Sequence, residues 1–172
     1  MARAPGGGPH VNTELLPVVL VDSAVWAGWS FVVGYTAHRL PLRVVERDRW
    51  LTRIRPWERD GRTWERLGIR RWKDRLPEAG DLFGGGVSKR ALPGRHPDEL
   101  LRFAAETRRA ELVHWAVPLV LPVFVLWNPP VPMVAMAAYA VLANAPCIAV
   151  QRFNRARILR VLRRHERLLR PS

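Results

Sequence analysis

Apolar positions along this chain gather into three runs, separated by segments dense in arginine. The first run, Leu15 to Thr36, is interrupted only by Asp22. As a helix rising 1.5 Å per residue it is about 33 Å long, enough to cross a hydrocarbon core of ~30 Å. The flank before it carries only Arg3, and it ends in Gly34-Tyr35-Thr36-Ala37-His38 with no clear cleavage pattern, so a signal peptide is not expected. The second run is Leu112 to Trp127 and the third Val131 to Val150, with Asn128-Pro129-Pro130 between them reading as a tight turn. The second run is short, about 24 Å as helix, and carries Pro118 and Pro122. It either starts earlier, tilts, or forms a re-entrant hairpin with the third.

Between the first and second runs, residues 38–111 read as a mostly helical polar segment. Trp50, Leu51, Ile54 and Trp57 recur at helical spacing until Gly61 breaks the run, and Trp64, Leu67 and Ile69 follow up to Pro77. Residues 80–97 are rich in turn formers. Asp98 is then placed to cap a helix through Leu100, Leu101, Phe103 and Ala104 that runs into the second apolar segment. From Phe153 to Leu169, Ile158, Val161, Leu162 and His165 share one face and arginines the other, a basic amphipathic pattern suited to anionic lipid. The expected fold is an all-α integral membrane protein with about three membrane helices, the second and third forming a tight hairpin. Its parts are a disordered head (1–13), a first membrane helix (14–37), a helical cytoplasmic segment (38–111), a membrane hairpin (112–150) and a basic amphipathic tail (151–172).

Charge sharpens that picture. The 172 residues hold 28 Lys and Arg against 15 Asp and Glu, a formal net charge of +13. None of these charged residues falls between Leu112 and Val150. A simple soluble enzyme is thereby excluded, and the eight Trp together with the long apolar runs exclude a disordered chain. The one cysteine, Cys147, excludes an internal disulfide and a cysteine-rich metal site. Arginine concentrates in residues 38–111 and in the tail, so the positive-inside rule puts both in the cytoplasm and the N-terminus outside. The arginine-rich tail adjoins a membrane helix, so lipid headgroups are its expected partner rather than nucleic acid.

The densest polar cluster runs from Glu106 to Trp115. On a helix, Thr107, Glu111 and His114 lie within about 60° of one another. Glu111 and His114 are i,i+3 neighbours, so the carboxylate can orient the imidazole, and a histidine so placed can take a proton from a hydroxyl. The plainer reading is a set of ordinary salt-bridged residues where a helix enters the membrane. No second histidine lies close by in sequence, so no metal is expected. A second polar set, Asn144, Cys147, Gln151, Asn154 and Arg155, ends the third run; Asn144, Gln151 and Arg155 share a face. Such groups either bond between helices or line a cavity. A tight turn between the two runs returns both sets to one interface. Asp22 needs an arginine partner or a place near the outer interface. Gly84-Gly85-Gly86-Val87-Ser88-Lys89 lacks the spacing of a phosphate loop and reads as a plain flexible turn.

Several blocks occur together and in order: Arg71-Trp72-Lys73-Asp74-Arg75-Leu76-Pro77-Glu78-Ala79-Gly80, Phe83 with Ser88-Lys89-Arg90, Glu106 to Trp115, Leu126-Trp127-Asn128-Pro129, and Asn144-Ala145-Pro146-Cys147-Ile148 with Gln151 to Arg155. In these the chain resembles the glycosyl-4,4'-diaponeurosporenoate acyltransferase family of small bacterial membrane proteins, over roughly residues 64–157. The resemblance implies transfer of a fatty acyl group to a sugar hydroxyl of a glycosylated carotenoid or related glycolipid, in the bacterial cell membrane. It needs no cofactor, and acyl-CoA is the expected co-substrate. Site roles rest on residue chemistry: His114 as base with Glu111 beside it, and Trp72, Lys73, Asp74, Lys89, Arg108, Asn144, Gln151, Arg152, Asn154 and Arg155 lining the substrates. Lys73, Lys89, Arg108 and Arg152 suit the phosphates of the donor, and Asn144 or Asn154 an oxyanion. A covalent route through Cys147 is disfavoured in an apolar helix. The rival from another class is a non-enzymatic basic membrane protein that binds anionic lipid or scaffolds a biosynthetic complex.

Overall fold

A computed structural model describes residues 15–76 and 96–169. The expected head, the glycine-rich turn with Lys89, and residues 170–172 lie outside the described residues. Within them the chain is helical with no strand. The helices are α1 (Leu15–Arg39), α2 (Leu42–Val45), α3 (Arg62–Arg66), α4 (Ile69–Trp72), α5 (Pro97–Ala116), α6 (Leu121–Phe124) and α7 (Pro130–Leu169). Short 3-10 turns occupy Pro56–Gly61, Lys73–Arg75 and Val117–Val120.

Helix α1 runs alongside the α5–α6 limb and is tied to it at three levels. At its C-terminal end, where helix carbonyls lack partners, Arg109 Nη1 reaches the carbonyl oxygens of Ala37 (2.5 Å) and Leu40 (2.7 Å). Midway, the Trp29 indole donates to the Ala116 carbonyl at 3.1 Å. Further along, Asp22 Oδ1 accepts from Trp127 Nε1 (2.7 Å) and Asn128 Nδ2 (2.9 Å). Asp22 thus finds neutral donors on the turn before α7. Trp26 completes this level, stacked on Phe124 and edge-on to Tyr139.

Helix α5 opens with Pro97 at its first position and Asp98 and Glu99 in its first turn, after His96. Asp98 therefore favours the helix dipole from inside the first turn and is not the cap, because the preset φ of Pro97 makes it the better starting residue. The helix loses its regular bonding at Pro118, which has no N–H to continue the α-helical ladder. A 3-10 turn, α6 and a second turn then carry the chain to Pro130. Helix α7, 40 residues long, returns past α6 and along α5 and passes through Pro146 without ending. The expected tail is therefore the continuation of the same helix, and its residues 151–156 are buried.

Two clusters hold the arginine-rich end together. Leu100, Phe103 and Ala104 of α5 pack on Ile158, with Leu162 beside them. Ile69, Val150 and Phe153 form the other, covered by Trp64, Trp72, Leu76 and Ala149. Burying a side chain such as Phe153 stabilises by ~2–3 kcal/mol. Gly61, at φ 91°, turns the chain into α3 hard against α7; a β-carbon there would lie 3.4 Å from the Phe153 ring. The helical spacing of Trp50 to Trp57 does not produce a helix: residues 46–55 are turns and bends. Pro56 interrupts the pattern, and side chains capture backbone N–H groups, Arg49 N donating to Thr52 Oγ1 and Arg55 N to Glu58 Oε2. The carbonyls so released are used by α7.

The other end is sheathed in exposed apolar side chains. Leu16, Leu20 and Phe31 of α1, Leu119 and Leu126 of the limb, and Val131, Val134 and Leu142 of α7 all lie open, Leu126 and Val131 being 81% exposed. Among the described residues two helices, α1 and α7, are long and apolar enough to cross a membrane. The Leu112–Trp127 run is divided among the end of α5, a 3-10 turn and α6, and so forms no single straight helix.

Candidate functional site

Helices α5 and α7 meet the 48–58 loop around a buried group of charges. Glu111 is fully buried, and both its oxygens are taken by arginines of α7: Oε1 by Arg152 Nη1 at 2.7 Å and Oε2 by Arg155 Nη2. Arg152 also meets Glu58, Nε to Oε1 at 2.6 Å and Nη2 to Oε2 at 3.1 Å. Its Nη1 and Nη2 reach the carbonyls of Leu51 (3.1 Å) and Arg53 (2.8 Å). A guanidinium has five N–H groups, and these five acceptors use them all. Arg152 therefore has no donor left for a substrate phosphate; it joins the loop to the two helices. Arg155 donates to the Thr52 carbonyl and lies 3.4 Å from Thr107 Oγ1, which itself donates to the Ala104 carbonyl. Glu58 and Glu111 balance Arg152 and Arg155, so four buried charges sum to zero. Arg108 pairs outside this group with Asp48, Nε to Oδ1 at 2.7 Å.

One helical turn beyond Glu111, His114 meets α7 directly. Its Nδ1 lies 3.0 Å from Asn144 Oδ1, and Asn144 Nδ2 donates to the Ala140 carbonyl at 2.9 Å. The second bond fixes the amide so that oxygen faces the ring. An acceptor opposite Nδ1 calls for the tautomer with hydrogen on Nδ1, which makes Nε2 the basic nitrogen of the neutral ring. The spacing in sequence pointed to Glu111 as the group that orients His114; the bond on Nδ1 comes from Asn144, 30 positions away. Glu111 instead receives Trp115 Nε1 at 3.4 Å in addition to the arginines. Pro146, two residues past Asn144, removes the N–H that would have met the Leu142 carbonyl, so the helix is loosened beside the histidine.

The remaining candidates divide. Gln151, Asn154 and Arg155 are buried on α7 beside this interface. Trp72 is part of the cluster over Val150 and Phe153. Lys73 binds its neighbour Asp74 in the turn after α4. Lys89 is outside the described residues. Cys147 Sγ leans on the Ala143 carbonyl at 3.6 Å, within its own helix. Glu58 and Thr52, both buried, are central here and were not singled out by sequence: an acid after a Pro-Trp pair looks like any solvated one until Arg152 is seen to reach it.

A family model described as glycosyl-4,4'-diaponeurosporenoate acyltransferase matches residues 47–164. The chain belongs to the glycosyl-4,4'-diaponeurosporenoate acyltransferase family. A protein of that name from Staphylococcus haemolyticus is 30% identical over 146 residues, covering 84% of this chain and 85% of its own. Another, from Staphylococcus aureus strain MRSA252, is 32% identical over 143 residues, 82% of this chain and 86% of its own. No solved structure matches. The span matched by the model of this acyltransferase family begins just before Asp48 and ends beyond Leu162. It takes in the ionic group, the His114–Asn144 pair and both packed clusters, and leaves out α1.

Proposed function

We propose that the protein is a membrane O-acyltransferase that esterifies a sugar hydroxyl of a glycosylated carotenoid or related glycolipid, using acyl-CoA as donor. The observation that carries the reading is the His114–Asn144 pair at the junction of an apolar sheath and an arginine-rich body, in a chain of this family. In the reaction, the sugar oxygen attacks the thioester carbonyl while its proton passes to His114 Nε2. The new C–O bond forms, the tetrahedral oxyanion collapses, the C–S bond breaks, and the leaving thiolate recovers the proton from the imidazolium. Asn144 holds the ring and its tautomer. Glu111 acts at one remove, by fixing α5 and α7 in register through Arg152 and Arg155. Lys73 and Lys89 supply charge for the donor's phosphates, with Trp72 and Asp74 as further substrate contacts.

The membrane arrangement that suits this chemistry is three passes: α1, the α5–α6 limb, and α7 up to about Val150. The rungs from Leu40–Arg109 to Asp22–Trp127 are about 27 Å apart along α1, close to a ~30 Å hydrocarbon core. The positive-inside rule then sets the N-terminus outside and the arginine-rich body in the cytoplasm of a bacterial cell, where acyl-CoA is found. A lipid-like acceptor and an acyl chain enter from the apolar sheath, and the donor's charged head from the arginine side.

The test is mass spectrometry of host lipids and pigments in a deletion strain, complemented by wild type or His114→Ala. Loss of an acylated glycolipid, accumulation of its unacylated form, and rescue by wild type alone are expected. No change in any acylated lipid refutes the enzyme and leaves the scaffold reading. Equal rescue by His114→Ala refutes the base.

A further inference from the structure

Two to three turns along α7 from the His114–Asn144 pair, buried polar atoms have no hydrogen-bond partner among the described residues. Gln151 Oε1 and Asn154 Nδ2 have no hydrogen-bond partner, in residues 1% and 3% exposed. Arg155 Nε, on the next residue, is a third. Buried polar atoms normally find partners, and each exception calls for a physical reason, a bound water, ion or ligand group among them. Gln151 and Asn154 are three residues apart, so their side chains leave the helix about 60° apart with β-carbons roughly 5–6 Å from each other. Along α7, Gln151 falls between Asn144, which meets His114, and Arg152, which meets Glu111. Gln151 thus lies on the Asn144 face of α7 about two turns from the His114 contact, and Asn154 about one turn further.

The two atoms have opposite polarity: one accepts and the other donates. A hydroxyl group does both and fits between them. An acyl chain or an isoprenoid offers neither function, and a phosphate oxygen would leave Gln151 Oε1 unpaired. We infer that Gln151 and Asn154 bind a hydroxyl of the acceptor sugar other than the one that reacts, with Arg155 Nε available to a second hydroxyl oxygen. This rests on the acyltransferase reading above, and it gives the site a requirement for a polyhydroxylated headgroup that the apolar sheath cannot supply.

The experiment uses the full chain in lipid nanodiscs and follows equilibrium binding of octyl glucoside, with octanol as the sugar-free control. Gln151→Met and Asn154→Leu keep side-chain size while removing the acceptor and the donor. Each is expected to weaken glucoside binding about five- to tenfold, the worth of one neutral hydrogen bond. The double variant is expected to lose little more than the worse single one, because both atoms hold the same hydroxyl. Octanol uptake stays unchanged. Glucoside binding within twofold of wild type in both variants overturns the inference, as does an equal loss for octanol. Acyl transfer is measured separately on the same samples. Glucoside binding that depends on the pair, in a wild type that transfers no acyl group, sinks the acyltransferase reading and leaves the hydroxyl site standing. Transfer with an unchanged acceptor KM in Gln151→Met does the reverse.

Discussion

Replacing Glu111 by Gln should be among the costliest isosteric changes in this molecule. The side chains of Glu111, Arg152 and Arg155 are 0%, 9% and 0% exposed, and both carboxylate oxygens are held by guanidinium groups. With Glu58 the group is neutral; without the Glu111 charge it carries one uncompensated buried positive charge. A glutamine also turns an NH2 toward one of the two arginines. Breaking a buried pair on one side costs about 3–5 kcal/mol. For a chain of this size each kcal/mol moves the melting temperature by roughly 2–4 °C, so a fall of about 6–20 °C is expected. The assay is thermal unfolding in detergent, followed by a thiol-reactive dye on Cys147, the single cysteine. Glu65→Gln is the control: its partners Arg70 and Arg160 are 61% and 37% exposed, and such pairs are worth about 0–1 kcal/mol each. Removing both charges, in Glu111→Leu with Arg155→Met, should recover part of the loss. A Glu111→Gln protein melting within about 2 °C of wild type would refute the ionic group as the joint between α5, α7 and the loop.

Four further outcomes follow from the geometry. Asn144→Leu removes the acceptor that holds the His114 ring, so acyl transfer should fall about tenfold or more; an unchanged rate removes Asn144 from the mechanism. Asp22→Leu deprives Trp127 and buried Asn128 of their shared acceptor, with an expected cost of about 1–3 kcal/mol in the same melting assay. Gly61→Ala forces a side chain into left-handed backbone against Phe153 and should destabilise by at least ~1 kcal/mol. The Arg70 hydrogen bond holds the Glu65 carboxyl below its usual value of 4.5. Its small stabilisation is therefore full above that value and lost as pH falls through the lowered one, so acid unfolding of Glu65→Gln should be slightly less steep.

The pattern along the chain announces some of this molecule and conceals the rest for identifiable reasons. The Leu15–Thr36 run forms one helix because no residue in it breaks helical bonding, and Gly61 ends its segment because only glycine takes φ 91° without strain. Trp50 to Trp57 mislead because spacing records only where side chains would point. Pro56 and the demand of Arg152 and Arg155 for carbonyl acceptors decide the backbone there, and that demand comes from a helix about 100 residues away. The polar sets 107–114 and 144–155 were legible as two faces returning to one interface. Their pairing was not. Glu111 is closer in sequence to His114 than Asn144 is, yet two arginines outbid a neutral imidazole for a buried carboxylate, leaving the ring to the amide.

The most direct test of the central claim is single-turnover transfer by the purified protein in nanodiscs, with radiolabelled acyl-CoA and a glycosylated carotenoid acceptor. The account predicts label in an ester of the sugar with release of one free CoA thiol per ester formed, and loss of both in His114→Ala that still melts like wild type. Hydrolysis of acyl-CoA without ester, or ester formation at the wild-type rate by His114→Ala, would contradict it.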